Sequence, residues 1–443
     1  FNSNLGLMQG EVLSPVLFNL YVNDCEINFL NSECVPFEIS SLNLFLLMYA
    51  DDMVIFSETI AGLQSLLDEL TYYCSTWKLH INVDKSKIVV FRKGGRVKEN
   101  EKWYIYGKPL DIVDQFAYLG IIFYYNNKFS KAEKQLAEQG RKALFVLKKN
   151  IRNMFFNHNT LLSLFDCFVG SVINYASEVW GSLKAPNIEK LHLDFCKHIL
   201  GVKRSTCNVA VYSELGRCPL LYQRMFNIVK FWKKILYHNN CIIQHCYYTL
   251  YDCVEKHNAK NWLYHVKDFL CNLGMFELWE KQKITAADLI VVKQRIFDQA
   301  TQYIFSQLDI SSKCSFFKYL IATHNLQFYL RKPIPNKYQK CISRFRLSSH
   351  QLSIETGRFY NIERHNRNCF LCSNSIEDEF HFILICPIYE GYRKKYIKPY
   401  YWKKPSMCKL LQLFNVENVK ELCNLGKFIH FGLKLRKDLL NAN

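Results

Sequence analysis

No stretch of this chain approaches the roughly 18–20 consecutive apolar residues that a membrane-spanning helix needs, so no membrane partner is expected. Internal repeats and low-complexity segments are also missing, which removes solenoids and disordered polar tracts. The opening residues carry no secretory leader. The 18 cysteines are scattered through a long chain, so they read as reduced intracellular thiols and not as a disulfide framework. Negative charge is scarce as well: 39 Asp and Glu stand against 57 Lys and Arg, a net charge of +18. Such an excess favours a polyanionic partner over a merely solvated basic surface, because lysine and arginine neutralise phosphates. What is plentiful is aromatic residues, 15% of the total. Most must be core; the rest supply stacking faces for single-stranded bases. At 443 residues the chain can hold two or three domains with sizeable cores.

The densest chemical signal is Tyr49-Ala50-Asp51-Asp52, set between the apolar runs Leu42–Met48 and Met53–Phe56. The flanks read as buried strands and the polar centre as a hairpin turn. Two adjacent carboxylates are costly unless a cation neutralises them. Divalent-metal phosphoryl transfer uses this arrangement, with Mg²⁺ held by carboxylates and substrate phosphates. An ordinary polar turn is the plain alternative for the tetrapeptide alone.

The surroundings favour the metal reading. Gly6-Leu7-Met8-Gln9-Gly10 precedes Ser14-Pro15, where Ser14 suits a helix N-cap and Pro15 the first helical position. A helix is predicted from Pro15 to about Phe29. The glycines allow close backbone approach to a nucleotide or template strand, and Gln9 between them can face a ligand. Downstream, Leu63, Leu66, Leu67, Leu70, Cys74 and Trp77 mark one face of a helix. Lys85-Ser86-Lys87 then leads into the strand-like Ile88–Phe91. A turn at Gly107-Lys108 comes next, and after it the strand-like Phe116-Ala117-Tyr118-Leu119-Gly120.

In this order the motifs resemble the palm of the non-LTR (LINE-type) retrotransposon reverse transcriptases, over residues 1–125. Gly6-x-x-Gln9-Gly10-x-x-Leu13-Ser14-Pro15 is similar to the family's template and nucleotide contact motif. Tyr49-Ala50-Asp51-Asp52 is similar to its catalytic hairpin, and Lys85-Ser86-Lys87 to its lysine-bearing motif. Phe116-x-Tyr118-Leu119-Gly120 is similar to its primer-grip region. Group II intron maturases share the Tyr-Ala-Asp-Asp core, but the segments C-terminal to the palm favour the LINE type.

The resemblance implies that Asp51 and Asp52 hold Mg²⁺ or Mn²⁺. It implies that Gly6, Gln9, Gly10, Ser14, Tyr49 and Gly120 shape the site for dNTPs, RNA template and DNA primer. Lys85 would protonate or neutralise pyrophosphate, with Lys87 as the open alternative. The family's third catalytic aspartate lies well upstream of the Gln-Gly motif, whereas this chain begins at Phe1. The expectation is that the fingers, that aspartate and any endonuclease belong to an upstream part of the same polyprotein. The complete two-metal site is then not built by this chain alone.

Beyond the palm, Lys131–Lys149 opens a helical region with Leu136, Ala143, Leu144 and Leu147 on its apolar side. Leu161–Trp180 and Ile188–Leu200 read as further helices, the latter ending at Gly201 as a C-cap. A helical thumb is expected over 126–235, a helical connector over 236–343 and a C-terminal module over 344–443. Tyr212-Ser213-Glu214-Leu215-Gly216-Arg217 is similar to a segment of the same family, without an assigned chemical role.

Near the end, Cys369-x2-Cys372-x8-His381-x4-Cys386 supplies three thiolates and an imidazole, a plausible tetrahedral Zn²⁺ set. A chance Cys-x-x-Cys is common at this cysteine content, so His381 and Cys386 carry the argument. Phe382, Ile383 and Ile385 would pack around the metal. Arg344, Arg346, Arg358, Arg364 and Arg367 precede the ligands. Arg393, Lys394, Lys395, Lys398, Lys403 and Lys404 come after them, interleaved with Tyr392, Tyr396, Tyr400, Tyr401 and Trp402. Cations between rings suit single-stranded RNA or DNA. The LINE-type family also ends in a cysteine–histidine knuckle, though eight residues between Cys372 and His381 depart from the retroviral spacing of four.

The fold class expected is α+β: a polymerase palm remainder, a helical thumb and connector, and a small zinc-knuckle module. The function expected is a fragment of an RNA-directed DNA polymerase that extends a DNA 3′ end on an RNA template, inactive alone. It would be intracellular and act in the nucleus. The alternative is a non-catalytic nucleic-acid-binding remnant with a structural zinc. A third reading, a zinc-stabilised protein-interaction domain, predicts nucleic-acid affinity indifferent to salt, contrary to counterion release.

Overall fold

The computed structural model of the chain describes residues 11–97, 101–152, 154–373 and 375–442, in two compact units. Helices and short strands are mixed as an α+β arrangement, with the strands paired two by two.

The first unit gathers the chain up to Ala132 with 231–268 and 281–283. It opens with α1 (Ser14–Tyr21) and α2 (Cys25–Leu30). β1 (Phe37–Ile39) and β2 (Leu42–Leu44) form one hairpin, and β3 (Leu46–Tyr49) and β4 (Asp52–Ile55) the next. The amphipathic α3 (Ile60–Thr76) comes next, its first turn closed by the Thr59 hydroxyl accepting from the Gly62 N–H. Its apolar face serves two cores. Leu66, Leu70, Tyr73 and Cys74 pack with Cys25, Phe29, Phe45 and Leu46, while Leu67 packs with Ile88, Trp103, Ile105 and Leu110.

β5 (Lys87–Ile88) pairs in parallel with β8 (Asp111–Ile112), around the small hairpin of β6 (Tyr104–Ile105) and β7 (Lys108–Pro109). β9 (Gln115–Tyr118) and β10 (Ile121–Tyr124) close the strand region, turning at Leu119-Gly120. Both turn residues have left-handed φ, 47° and 81°, as a two-residue hairpin turn of this hand requires. The helix Cys241–His257 completes the unit, with His245 Nε2 3.2 Å from Ser41 Oγ.

The second unit is largely helical. The helix Ser130–Ile151 buries Leu136, Ala137, Leu144 and Leu147. The Glu133 carboxylate accepts from the backbone N–H groups of Asn187 and Ile188, filling the open end of the helix Pro186–Leu200. That helix stops at Gly201, whose φ of 67° is the left-handed C-cap predicted. Toward the C-terminus, the helices Asn336–Arg346 and Val419–Ala442 pack closely. A Cβ at Gly426 would meet the Tyr338 backbone oxygen at 2.9 Å, so only glycine permits that approach.

Four local expectations are corrected. The helix predicted from Pro15 to Phe29 breaks at Val22–Asp24, and Ser14 is its first helical residue, the cap position being Leu13 with no side-chain bond. The run Leu42–Met48 is divided between two hairpins, because each strand finds a different partner. The strands flanking the Asp pair are half-buried or exposed except at Leu46, rather than buried. The stretch Leu161–Trp180 passes through a wide helical turn at Asp166–Gly170 and breaks before Ala176, which takes φ 49°.

Candidate active site and candidate metal centre

The hairpin of β3 and β4 carries the paired carboxylates at its tip. Tyr49 pairs with Asp52 across the strands, leaving Ala50 and Asp51 as the two-residue turn. Ala50 holds φ 53°, a conformation an L-residue adopts only where the surroundings impose it. Met48 and Met53, one residue inside, pack against the core beneath. The base is therefore fixed while Tyr49, Asp51 and Asp52 stand exposed. Neither carboxylate has a cationic partner among the described residues.

The β9–β10 hairpin lies within electrostatic reach of this tip. Burial, and then the charge of the Asp52 carboxylate, push the Tyr118 hydroxyl above its ordinary value. Tyr118 was legible in the sequence as part of a motif but not as a neighbour of the carboxylates. Gly120 sits in the turn of the same hairpin.

Lys85 closes a tight turn in which its backbone N–H donates to Asn82 Oδ1 at 3.1 Å. Its side chain is exposed, and no contact among the described residues joins it to the carboxylates. Lys87 is committed elsewhere, its Nζ 2.7 Å from Asp111 across the β5–β8 pair. Ser14 starts α1, a helix with no buried residue and with Val16, Leu17 and Leu20 exposed. Gly6, Gln9 and Gly10 lie outside the described residues.

In the second unit, Cys369, Cys372, His381 and Cys386 converge, their four ligand atoms all within 4.8 Å of one another. Among the described residues this is the one group of three or more such side chains. Cys369 and Cys386 are buried. A hydrogen bond with Cys386 holds the Cys369 thiol far below its ordinary value, while the Cys386 thiol is pushed up by the same bond. The pair thus keeps one thiolate ready for a cation. His381 Nε2 is 3.3 Å from Cys372 Sγ, and its Nδ1 is 2.6 Å from Ser375 Oγ. The serine fixes the ring so that Nε2 faces the thiols. Ser375 was not singled out from sequence; its place in the loop between the ligand pairs was the available signal.

The loop around the cluster is braced by buried charges. Arg393 donates to the carbonyls of Ile383 and Cys386 at 2.8 and 2.7 Å. Arg436 grips Glu377 with two bonds of 2.6 and 2.7 Å, and Glu377 also accepts from Ser353. Phe382, Ile383 and Leu384 are buried here, whereas Ile385 is exposed.

These contacts correct the expected basic and aromatic surface. Arg346 and Arg393 are buried structural groups, and Tyr401 is buried as well. Tyr392 and Tyr396 stack on Phe431, and Lys394 and Lys398 pair with Glu390 and Glu421. Lys395, Tyr400, Lys403 and Lys404 remain exposed.

Residues 1–123 match the family described as reverse transcriptase (RNA-dependent DNA polymerase). Over 125 residues the chain is 34% identical to the Retrovirus-related Pol polyprotein from type-2 retrotransposable element R2DM of Drosophila melanogaster. The N-terminal segment is a reverse transcriptase segment of the non-LTR retrotransposon kind. That first similarity covers 27% of this chain and 12% of the fly protein. A Pol polyprotein from type-1 retrotransposable element R2 of Bradysia coprophila is 32% identical over 126 residues, 27% of this chain and 14% of that protein. A putative uncharacterized transposon-derived protein of Caenorhabditis elegans is 28% identical over 172 residues, 37% of this chain and 59% of that one. The matched stretches therefore span less than two thirds of each of these relatives. The Asp51–Asp52 hairpin, Lys85 and the β9–β10 turn all fall inside the reverse transcriptase segment, and the cysteine–histidine cluster lies beyond it.

Proposed function

We propose that this chain is part of a retrotransposon RNA-directed DNA polymerase that extends a DNA 3′ end on an RNA template. The observation that carries the reading is the Asp51–Asp52 hairpin tip within a segment matching reverse transcriptases. Two adjacent exposed carboxylates without a cationic partner suit a hard divalent cation, which takes one or two carboxylates together with substrate phosphates and waters. Bound there, Mg²⁺ or Mn²⁺ supplies neutralisation of the charge that develops as the primer 3′ hydroxyl attacks the α-phosphate of a dNTP. Asp51 and Asp52 fix the position of that charge, and the rigid hairpin base keeps them from swinging away. Tyr118, within electrostatic reach of Asp52, holds the primer end. Lys85, exposed and uncommitted, meets the leaving pyrophosphate, whereas Lys87 is held by Asp111. Ser14, Tyr49 and Gly120 serve template, primer and dNTP, and the same role is proposed for Gly6, Gln9 and Gly10 from the motif alone.

In this reading 126–235 acts as thumb, 236–343 as connector and 344–443 as a nucleic-acid-binding module. Cys369, Cys372, His381 and Cys386 hold one structural Zn²⁺, a reading supported by the closeness of their ligand atoms and by Ser375 behind His381. The protein acts on nuclear DNA. The test is Asp51→Asn in an active polymerase that contains this chain. Template-dependent primer extension should be lost while nucleic-acid affinity and helix content stay unchanged; retained extension would overturn the assignment.

A further inference from the structure

The second unit also collects an unbalanced set of cations that are not part of the cysteine–histidine cluster. Lys148 comes from the helix Ser130–Ile151, Arg204 from the turn after the helix Pro186–Leu200, and Lys340 and Arg344 from Asn336–Arg346, with the His198 ring, held toward its neutral form by burial and by Lys148 and Lys340, among them. They act on one another across these elements: His198 feels Lys148 and Lys340, Lys148 feels Arg204, and Lys340 feels Arg344. Asp194 is the carboxylate that opposes them at Lys148.

The neighbouring cations are already spent. Lys197 donates to Arg204 O and Asn208 Oδ1, and Lys203 to His350 O. Arg344 uses only its Nε, on Gly201 O at 2.7 Å, leaving the outer guanidinium edge open. Lys148, Arg204 and Lys340 have no side-chain hydrogen bond or ion pair among the described residues. Lys340 is nonetheless held in place, because its stem lies over Gly201, with Cδ 2.7 Å from where a Cβ would be.

Gathering like charges on half-buried stems costs stability. Burial first, and then Arg344, hold the Lys340 ammonium below its ordinary value. A polyanion would remove this cost. The cations are spread over two helices and a turn instead of converging on one point, which fits a run of phosphates better than a single one. We propose that Lys148, Arg204, Lys340 and Arg344 form a contact site for the phosphodiester backbone of a nucleic acid. The site rests on the reading that this chain binds nucleic acid, and it joins Arg344 of the C-terminal module to cations that precede that module.

The test is a triple variant, Lys148→Met, Arg204→Gln and Lys340→Met, which keeps the packed stems and removes three charges. A fluorescein-labelled RNA–DNA hybrid is titrated at salt concentrations between roughly 50 and 200 mM. Losing three phosphate contacts should lower the slope of log K against log salt by roughly two, at about 0.7–0.9 per contact. The variant should melt no lower than the parent, since mutual repulsion is relieved. A charge-matched control, Lys283→Met, Lys293→Met and Lys437→Met, should keep the parental slope. Should the triple variant unfold, Arg204→Glu alone, at an exposed side chain, should still lower the slope by roughly one. A steep parental slope that the triple or single variant leaves unchanged would overturn the site alone, as would equal flattening in the control. A parent whose affinity does not depend on salt would overturn the nucleic-acid reading as well.

Discussion

Replacing Glu214 by Gln preserves shape and removes the charge that compensates Arg346. Both side chains are essentially inaccessible, at 0% and 1% exposure. Arg346 Nε lies 2.7 Å from Glu214 Oε1, and its outer nitrogens reach Glu214 Oε2, Gln327 and Asn415. Glu214 also accepts from the Tyr329 hydroxyl at 2.6 Å. Breaking such a pair strands a buried guanidinium, which costs about 3–5 kcal/mol, whereas exchanging both partners for apolar residues is often neutral or stabilising. Hydrogen exchange of peptides covering the helices Asn208–Glu214 and Asn336–Arg346 reads the effect without assuming one transition for a chain of two units. Protection in Glu214→Gln should fall roughly 10²- to 10⁴-fold, and Glu214→Leu with Arg346→Met should recover most of it. A Glu214→Gln protein protected to within about tenfold of the parent would refute the reasoning, because a tenfold change is only about 1.4 kcal/mol.

The zinc reading predicts one metal per chain by elemental analysis under reducing, chelator-free conditions, and about one fewer in Cys372→Ser, with new protease cleavage around residues 365–395. Ser375→Ala, which frees the back of His381, should weaken zinc roughly 10- to 100-fold in competition with a chelator dye; unchanged affinity would remove Ser375 from that role. Burial holds His158 down to about 4 against an ordinary 6.5. The unfolded chain binds that proton first, so the stability contributed by neutral His158 is full above pH 6.5 and is lost as pH falls toward 4. The loss is on the order of 3 kcal/mol, and His158→Gln should flatten the urea midpoint between those two pH values.

Short-range signals were the legible part of this fold. The Thr59-capped helix, the left-handed Gly201 and the hairpin bearing Asp51 and Asp52 all arise from patterns spanning a few residues. The four zinc-ligand candidates were legible because their spacing is itself the chemistry. Contacts distant in sequence were not. Arg346 and Arg393 read as surface cations because an arginine in a basic stretch gives no sign of the buried acceptor awaiting it. Leu42–Met48 read as one strand because hydrophobicity alone does not mark where a strand changes partner. The segment Tyr212–Arg217 had no chemical role in sequence. In the structure Glu214 anchors Arg346, Leu215 bridges Leu326, and Gly216, at φ 61°, admits the backbone of Asn325 and Leu326.

The most direct measurement of the central claim is primer extension on an RNA template with Mg²⁺ and all four dNTPs. It compares an active polymerase that contains this chain with its Asp51→Asn variant. Full-length DNA is expected from the parent and none once Asp51→Asn is introduced. Synthesis that survives Asp51→Asn would contradict the assignment of the hairpin carboxylates as the metal ligands.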